Sequence, residues 1–374
     1  MRAVRRIHLF PRPHGEFPRG PLAARRRRRL QHRAAAGPWR GRMNTAPATS
    51  IGSGIGSGIG SGNGSAVHGI SHLVIEVADA QRAARFYAEN LGVHGAALAD
   101  WPEADELALA LRSGQMLVFK SGSGGKTHQE SGVHQAYRCT AGARSVIEAK
   151  LADTGIAVHR YHEDRPAEAR EPFYFTDPDG NRVQLVTVPG NEPGNETGIW
   201  GIDHAAIQAS DMEWEEAFFV DRLGFAVDHR VGWNTEDYVR ARAWAEGHDD
   251  MAPGTRRMDH RYRDNPGAEP GSSREVPRPN IQIFLGLGGS VLGIFLATFH
   301  LQEPAPELAR GTPRTALAMD RAGLKAMAAA LDSAGVALDG PVIHGPGAPL
   351  AESLYFRDPC GNFFEFCVPA DSRG

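Results

Sequence analysis

One carboxylate near the C-terminus lies in an otherwise apolar predicted strand. Residues 354–366 read Leu-Tyr-Phe-Arg-Asp-Pro-Cys-Gly-Asn-Phe-Phe-Glu-Phe, so Glu365 is flanked by phenylalanines. Asp-Pro followed by Gly-Asn favours a tight turn, and aromatic flanks favour strands, which together predict a β-hairpin. Because an unpaired buried carboxylate is costly, Glu365 needs a partner, and a metal ion is an obvious one.

The same hairpin occurs earlier, where residues 173–185 read Phe-Tyr-Phe-Thr-Asp-Pro-Asp-Gly-Asn-Arg-Val-Gln-Leu and Gln184 takes the place of Glu365. A second repeated pattern, Gly-Ile-x-His, places His72 and His204 at the same point of two predicted strands. Imidazole and carboxylate are common metal ligands. A lone strand histidine is most often an ordinary packed residue, and the repetition is what favours the ligand interpretation.

The elements that must position these residues repeat four times along the chain. Each repeat starts with a strand that alternates polar and apolar residues, continues through a helix and ends in further strands. Asp79 and Gly92 are the predicted cap residues of the first helix. The predicted helices are 82–91, 143–154, 211–223 and 322–334. This pattern predicts an α+β fold of four βαβββ modules, paired into two domains.

Segments of biased composition divide the chain. Residues 1–66 combine an arginine-rich stretch, in which Met43 is an alternative start, with Ile-Gly-Ser-Gly repeats, and they predict a disordered tail. A linker rich in Pro, Gly, Asn and Glu separates predicted domains at 67–190 and 198–370. The charged stretch from His248 to Pro279 predicts a long insertion, which is either functional or disordered.

Composition excludes several classes of function. The chain is 41% hydrophobic with a formal net charge of −3. The segment before Met43 is rich in Arg and has almost no acid, so the remainder is acidic and a poor candidate for nucleic-acid binding. No apolar run reaches the roughly 18 residues of a membrane span. Three cysteines without paired spacing, Cys139, Cys360 and Cys367, indicate a reducing cytoplasm. We expect a cytoplasmic protein with a small-molecule substrate, and leave homo-oligomer formation open.

Paired βαβββ modules that close on Asp-Pro-x-Gly-Asn and open on Gly-Ile-x-His resemble the vicinal oxygen chelate superfamily, also called the glyoxalase/bleomycin resistance/extradiol dioxygenase superfamily. The resemblance covers about residues 67–369. It implies that two modules form a cup-shaped mixed sheet with a divalent metal on the concave face, held by two His and one Glu. Since two-domain ring-cleaving members keep the metal in their second domain, it implies an active site within 198–370.

Residue by residue, the resemblance implies a metal site at His204 and Glu365. The position expected for the second histidine holds Arg314 or Thr315 instead. His300, just past a predicted strand, is therefore our candidate for the third ligand. Arg314 is the candidate for binding an anionic substrate through its planar guanidinium, or it is a surface residue at a strand start.

Two residues upstream of Glu365 are catalytic candidates. Tyr355 matches a tyrosine that lies near the substrate in the extradiol enzymes that this chain resembles. His344 would orient a ligand or handle a proton. Both have ordinary alternatives, a turn histidine and a packed strand tyrosine, and Tyr174 takes the equivalent place in the early hairpin.

The N-terminal domain offers a secondary set, His72, His134 and Gln184. The two histidines occupy both expected positions, but a neutral amide replaces the carboxylate. We interpret this set as a vestigial or structural cup. The alternative is that His72 and His134 form the protein's two-histidine site.

The function that the resemblance favours is that of a metal-dependent dioxygenase of the extradiol, ring-cleaving type. Two His and one carboxylate suit Fe(II), because they leave positions open for substrate and O₂. Zn, Ni or Mn would instead act as a Lewis acid in a glyoxalase-type lyase or isomerase, the second interpretation. A metal-free small-molecule binding protein is the third. Either enzyme requires His204 and Glu365 to lie within a few ångströms of each other.

Overall fold

The computed structural model describes residues 66–93, 97–122, 133–160, 173–188, 198–209, 211–231, 281–296 and 309–370. The predicted tail up to residue 65, the predicted insertion from His248 to Pro279, and the candidate ligand His300 lie outside the described residues. No helix in the described part of the chain is both long and apolar enough to cross a membrane.

Fifteen strands form the framework of the described residues. Module 1 contains β1 Val67–Val77, β2 Glu106–Ala110 and β3 Met116–Ser121, and module 2 contains β4 His134–Cys139, β5 Val158–Arg160, β6 Phe173–Thr176 and β7 Arg182–Thr187. Module 3 contains β8 Gly201–Ala209, β9 Ala226–Val231, β10 Gln282–Leu287 and β11 Ser290–Leu296, and module 4 contains β12 Arg314–Met319, β13 Leu338–Ile343, β14 Leu350–Arg357 and β15 Phe363–Pro369.

Each module has one helical segment after its first strand. These are α1 Ala80–Leu91, α2 Ala141–Asp153, α3 Met212–Glu216, which continues as a π-helix at Ala217–Arg222, and α4 Arg321–Ser333. The predicted caps of α1 are confirmed: the Asp79 side chain accepts a hydrogen bond from Arg82 N, and Gly92 is left-handed at φ 66°.

The modules pair into two mixed sheets, which confirms the predicted α+β fold. We call them cup A, in the order β13-β14-β15-β12-β1-β3-β2, and cup B, in the order β5-β6-β7-β4-β8-β11-β10-β9. Cup A therefore joins modules 1 and 4, and cup B joins modules 2 and 3. Each cup takes strands from both halves of the chain, so the expectation that the two modules of one predicted domain, 67–190 or 198–370, form one cup is wrong.

The repeated hairpin turns connect modules that are neighbours in sequence. In module 2, Asn181 donates from Nδ2 to the carbonyl oxygen of Glu76 in β1, at 3.1 Å. In module 4, Asn362 donates from Nδ2 to the carbonyl oxygen of Gln208 in β8, at 2.7 Å. The Asp-Pro-x-Gly-Asn motif thus links module 1 to module 2 and module 3 to module 4. The sheet hydrogen bonds instead join module 1 to module 4 and module 2 to module 3.

Strand alternation separates a shared core from two inner faces. Along β1, Leu73 and Ile75 enter the main hydrophobic cluster, which includes apolar residues of both cups such as Ile207 and Leu285. His72 and Val74 point to the other side, the inner face of cup A. A second cluster lies entirely on that inner face and comprises Val74, Trp101, Ala108, Met116, Val118, Ala316, Leu350 and Cys367. The inner face of cup A is therefore packed with the protein's own side chains.

Candidate metal centre

The strand register aligns the candidate residues in one row across each cup. In cup A the paired residues are, from β1 to β14, His72, Ala316, Glu365 and Tyr355. In cup B the corresponding row, from β8 to β6, is His204, Ala136, Gln184 and Tyr174. Each cup therefore brings a first-strand histidine into the same row as a last-strand polar residue.

The expected meeting of His204 and Glu365 is wrong, because His204 lies in cup B and Glu365 in cup A. Glu365 faces His72 instead, with 3.3 Å between His72 Nε2 and Glu365 Oε2. The alternative in which His72 and His134 form a two-histidine site is also wrong, since these residues belong to different sheets. The physical reason in both cases is the pairing of modules across the two halves of the chain.

Two histidines meet in cup B. The Nε2 atoms of His134 and His204 are 3.1 Å apart, and their rings are nearly perpendicular at 86°. His134 is 3% exposed, and the His204 side chain is 13% exposed. Two unprotonated nitrogens at this distance repel each other unless a proton or a cation lies between them. Two adjacent ligands on one metal, each bonded at about 2.1 Å, are separated by a similar distance.

A carboxylate lies next to the Nδ1 atom of His204. Asp203 Oδ2 lies 2.8 Å from His204 Nδ1, and Asp203 Oδ1 accepts from Arg138 Nε at 2.9 Å. Burial by itself raises the pKa of Asp203, but the hydrogen bond from His204 and the Arg138 charge lower that pKa to about 2. An ionised Asp203 accepts a hydrogen bond from His204 Nδ1, and in the neutral ring this tautomer has its lone pair on Nε2, the nitrogen that faces His134, as in histidines that bind metals.

Gln184 lies in the same row of cup B as His204. It is buried at 7% exposure and is aligned with Ala136, the residue that pairs with His204. Its amide oxygen is a neutral donor for a metal, weaker than a carboxylate. Two imidazole nitrogens at 3.1 Å, one of them backed by a carboxylate, fit a divalent metal, and Gln184 lies at the row position that Glu365 takes in cup A.

The corresponding carboxylate in cup A already has partners. Glu365 Oε2 accepts from Arg314 Nε at 2.8 Å and faces His72, and Oε1 accepts from Ser353 Oγ at 2.7 Å. Burial alone raises the pKa of Glu365, but His72 and Arg314 lower it to about 2, so it stays ionised. Both oxygens are therefore occupied by protein donors.

Arg314 is the centre of this network. Besides Glu365, its guanidinium donates through NH2 to Glu106 Oε1 at 3.0 Å and through NH1 to the carbonyl oxygen of Gly311 at 3.3 Å. Burial tends to lower the pKa of Arg314, but Glu365 and Glu106 raise it above its usual range. Since its donors are used inside the protein, the contacts argue against its predicted role in binding an anionic substrate.

A metal does not fit cup A in this arrangement. Ligand atoms of His72, Glu365 and Cys367 lie within 4.8 Å of one another. However, Arg314 already supplies a cation to Glu365, and the Cys367 thiol, whose pKa is raised by burial, donates to the carbonyl oxygen of Leu317 at 3.7 Å. At Glu365, where the resemblance implied a metal site, the structure has an ion pair between Glu365 and Arg314.

Both catalytic candidates lie around this ion pair. Tyr355 donates from its hydroxyl to Glu103 Oε1 at 3.3 Å, and the Arg310 guanidinium stacks on its ring at 3.8 Å. His344 Nε2 is 2.8 Å from Ser353 Oγ, and burial lowers the pKa of His344. Burial raises the pKa of Tyr355 beyond its usual range. Their catalytic roles stay predictions. In the structure both side chains contact residues of the ion-pair network and its surroundings.

Comparisons with known proteins agree with this architecture. Residues 72–186 match the family described as glyoxalase-like domain, and residues 201–366 match the glyoxalase/bleomycin resistance protein/dioxygenase superfamily. The chain therefore belongs to the vicinal oxygen chelate superfamily, and it carries two such units. No curated protein matches the sequence.

Solved structures share the fold at low identity. A candidate dioxygenase from Bacillus subtilis is 15% identical, with a TM-score of 0.51 over 81% of this chain and 86% of that chain. Glyoxalase I from Zea mays is 15% identical, with a TM-score of 0.50 over 80% of this chain and 92% of that chain. At this identity the likeness supports the fold and does not choose between reactions.

Sequence reasoning named both histidines of cup B but missed Asp203 and the pairing of His134 with His204. The signal for Asp203 was present, because it directly precedes His204, whereas Ser71 precedes His72. Nothing in the local pattern indicated Glu106, whose partnership with Arg314 spans 208 residues of sequence.

Proposed function

We propose that the chain is a metal-dependent enzyme whose divalent metal is bound in cup B by His134, His204 and Gln184, and whose substrate is a small molecule with two neighbouring oxygen atoms. The observation that carries this proposal is the 3.1 Å separation of the two Nε2 atoms, with Asp203 behind one of them. A metal bound there would act as a Lewis acid toward the two oxygens of the substrate.

The residues of cup B support this function in distinct ways. Asp203 keeps His204 in the tautomer whose Nε2 lone pair is free to bind, and Arg138 keeps Asp203 ionised. The Phe295 ring packs edge-on against the His134 ring, with 5.6 Å between the ring centroids. The candidate ligands are all neutral, which favours an anionic chelating substrate over a neutral one, because no ligand charge would repel it.

The ligand candidates of cup B favour a glyoxalase-type reaction over a dioxygenase reaction. The dioxygenase interpretation relied on a carboxylate beside two histidines, and Glu365 is bound to Arg314 in the other cup. Among the described residues of cup B, the ligand candidates are two imidazoles and an amide. We therefore place a glyoxalase-type lyase or isomerase first, and a ring-cleaving dioxygenase with Fe(II) second.

Metal reconstitution followed by two assays tests the proposal. The full chain, stripped with EDTA, is dialysed against Zn²⁺, Ni²⁺, Mn²⁺ or anaerobic Fe²⁺, and the metal content is measured by mass spectrometry. We expect one metal per chain and turnover of 2-oxoaldehyde–thiol adducts without O₂. Oxygen uptake with a panel of catechols by the Fe²⁺ form would favour the dioxygenase instead. Failure to bind any of these metals would contradict both reactions and leave a metal-free binding protein.

A further inference from the structure

Arg314 and His134 occupy equivalent positions in the two cups. Arg314 pairs with Val74, and His134 pairs with Ala206. Val74 and Ala206 each lie two residues beyond the first-strand histidine of their own cup. The position that supplies the second imidazole in cup B therefore supplies a guanidinium in cup A.

The guanidinium bonds the same carboxylate oxygen that His72 approaches. Arg314 Nε is 2.8 Å from Glu365 Oε2, the same oxygen that His72 Nε2 approaches at 3.3 Å. All three side chains are at most 2% exposed. A cation that bridged His72 and Glu365 would have to displace Arg314, whose other end is bound to Glu106 by hydrogen bonds of 3.0 and 3.3 Å.

We propose that Arg314 is the permanent cation of cup A and excludes a metal from it. His72 and Glu365 then remain a pair of potential metal ligands, and replacing Arg314 alone would allow them to bind a metal. Replacing the guanidinium with an imidazole, as R314H, gives cup A two His and one carboxylate, the set that binds divalent transition metals. A charged guanidinium is never a ligand, because it has no lone pair to donate. The inference concerns cup A and does not depend on the metal proposed for cup B.

A matched pair of variants locates the metal in the natural chain. His72→Asn and His204→Asn make the same change at equivalent positions of the two rows. Each full-length variant is stripped with EDTA and titrated with Co²⁺, whose visible absorption reports the ligand set, and Zn²⁺ content is measured in parallel. We expect H72N to keep the metal of the natural chain and H204N to lose at least nine-tenths of it. Loss in H72N with retention in H204N would overturn the proposal.

Arg314→His tests the exclusion directly. We expect R314H to bind one more Co²⁺ per chain than the natural protein, and H72N in the R314H background to remove that additional ion. If R314H fails to fold because Glu106 has lost its guanidinium partner, the double variant R314H/E106Q also removes one negative charge, and the Gln oxygen can still accept from Trp101 Nε1. A folded R314H or R314H/E106Q with no additional Co²⁺ would refute the proposal.

The two proposals fail in different ways. If the natural chain binds no Co²⁺ and R314H binds one, the metal site of cup B is wrong and the exclusion by Arg314 stands. If the natural chain binds one ion through His204 and R314H still binds one, cup B is supported and the exclusion is wrong.

Discussion

Cup A and cup B have the same row of strand positions, but the charged groups on the two rows differ. Cup A holds a buried Arg314 between two carboxylates, and the space above it is packed with apolar side chains. Cup B holds two imidazoles that face each other at 3.1 Å. Repetition of a strand pattern therefore predicts where polar side chains will point. The residue that pairs two positions beyond the first-strand histidine, Arg314 in cup A and His134 in cup B, decides which partner those side chains meet.

The largest expected difference between the cups is in stability. Glu365→Ala leaves Arg314 buried with one of its two carboxylates gone, and removing one partner of a buried ion pair costs about 3–5 kcal/mol. Gln184→Ala, at the equivalent position of cup B, leaves no charge unpaired and should cost about 1 kcal/mol. Urea unfolding of both variants measures the difference. Equal costs would mean that Arg314 is satisfied by Glu106 alone.

A smaller effect is expected on metal affinity. Asp203→Asn keeps an oxygen near His204 Nδ1 but removes the charge, and loss of such a supporting carboxylate weakens metal binding about 10–100-fold. Ser71→Ala changes the corresponding neighbour in cup A, where Ser71 Oγ lies 3.2 Å from His72 Nδ1. Competition with a chromophoric chelator should show weaker Zn²⁺ binding in D203N and none of that loss in S71A. Unchanged affinity in D203N would place the metal elsewhere.

A third expected difference, in the pH dependence of stability, distinguishes the two hairpin turns between pH 5 and 9. In the turn of module 4, Cys360 N donates to Asp358 and to Glu215, and burial raises the pKa of Asp358 to about 7 and that of Glu215 well above its usual value. In the turn of module 2, burial raises the pKa of Asp177 less far, to about 6, and the partner of this aspartate is the hydroxyl of Tyr87 instead of a second carboxylate.

Because the folded pKa of Asp358 is raised, the folded state retains a proton that the unfolded chain releases near pH 4. The corresponding stability is fully present below about pH 4 and is lost as the pH rises through about 7, by at most about 1.4 kcal/mol per pH unit for one proton. Unfolding between pH 5 and 9 should show this decline. Glu215→Gln should make the decline shallower, with the part due to Asp177 remaining, and Glu213→Gln, an exposed change in the same helix, should leave it as in the natural chain.

The sequence by itself determined the local elements and the family. Alternation, caps at Asp79 and Gly92, and the repeated Asp-Pro-x-Gly-Asn turns gave four modules with nearly correct bounds, because these signals act over a few residues. It also placed His72 and His204 at equivalent strand positions, with Gln184 and Glu365 on the strands that complete the rows.

The tertiary structure decided which modules meet, and with that which side chains meet. Strand edges present the same backbone groups in all four modules, so periodicity cannot distinguish pairing of modules 1 and 2 from pairing of modules 1 and 4. That choice separated His204 from Glu365, joined it to His134, and brought Glu106 to Arg314 across 208 residues. Side chains that far apart in sequence interact only through the fold, and this is why the candidate metal centre emerged in cup B.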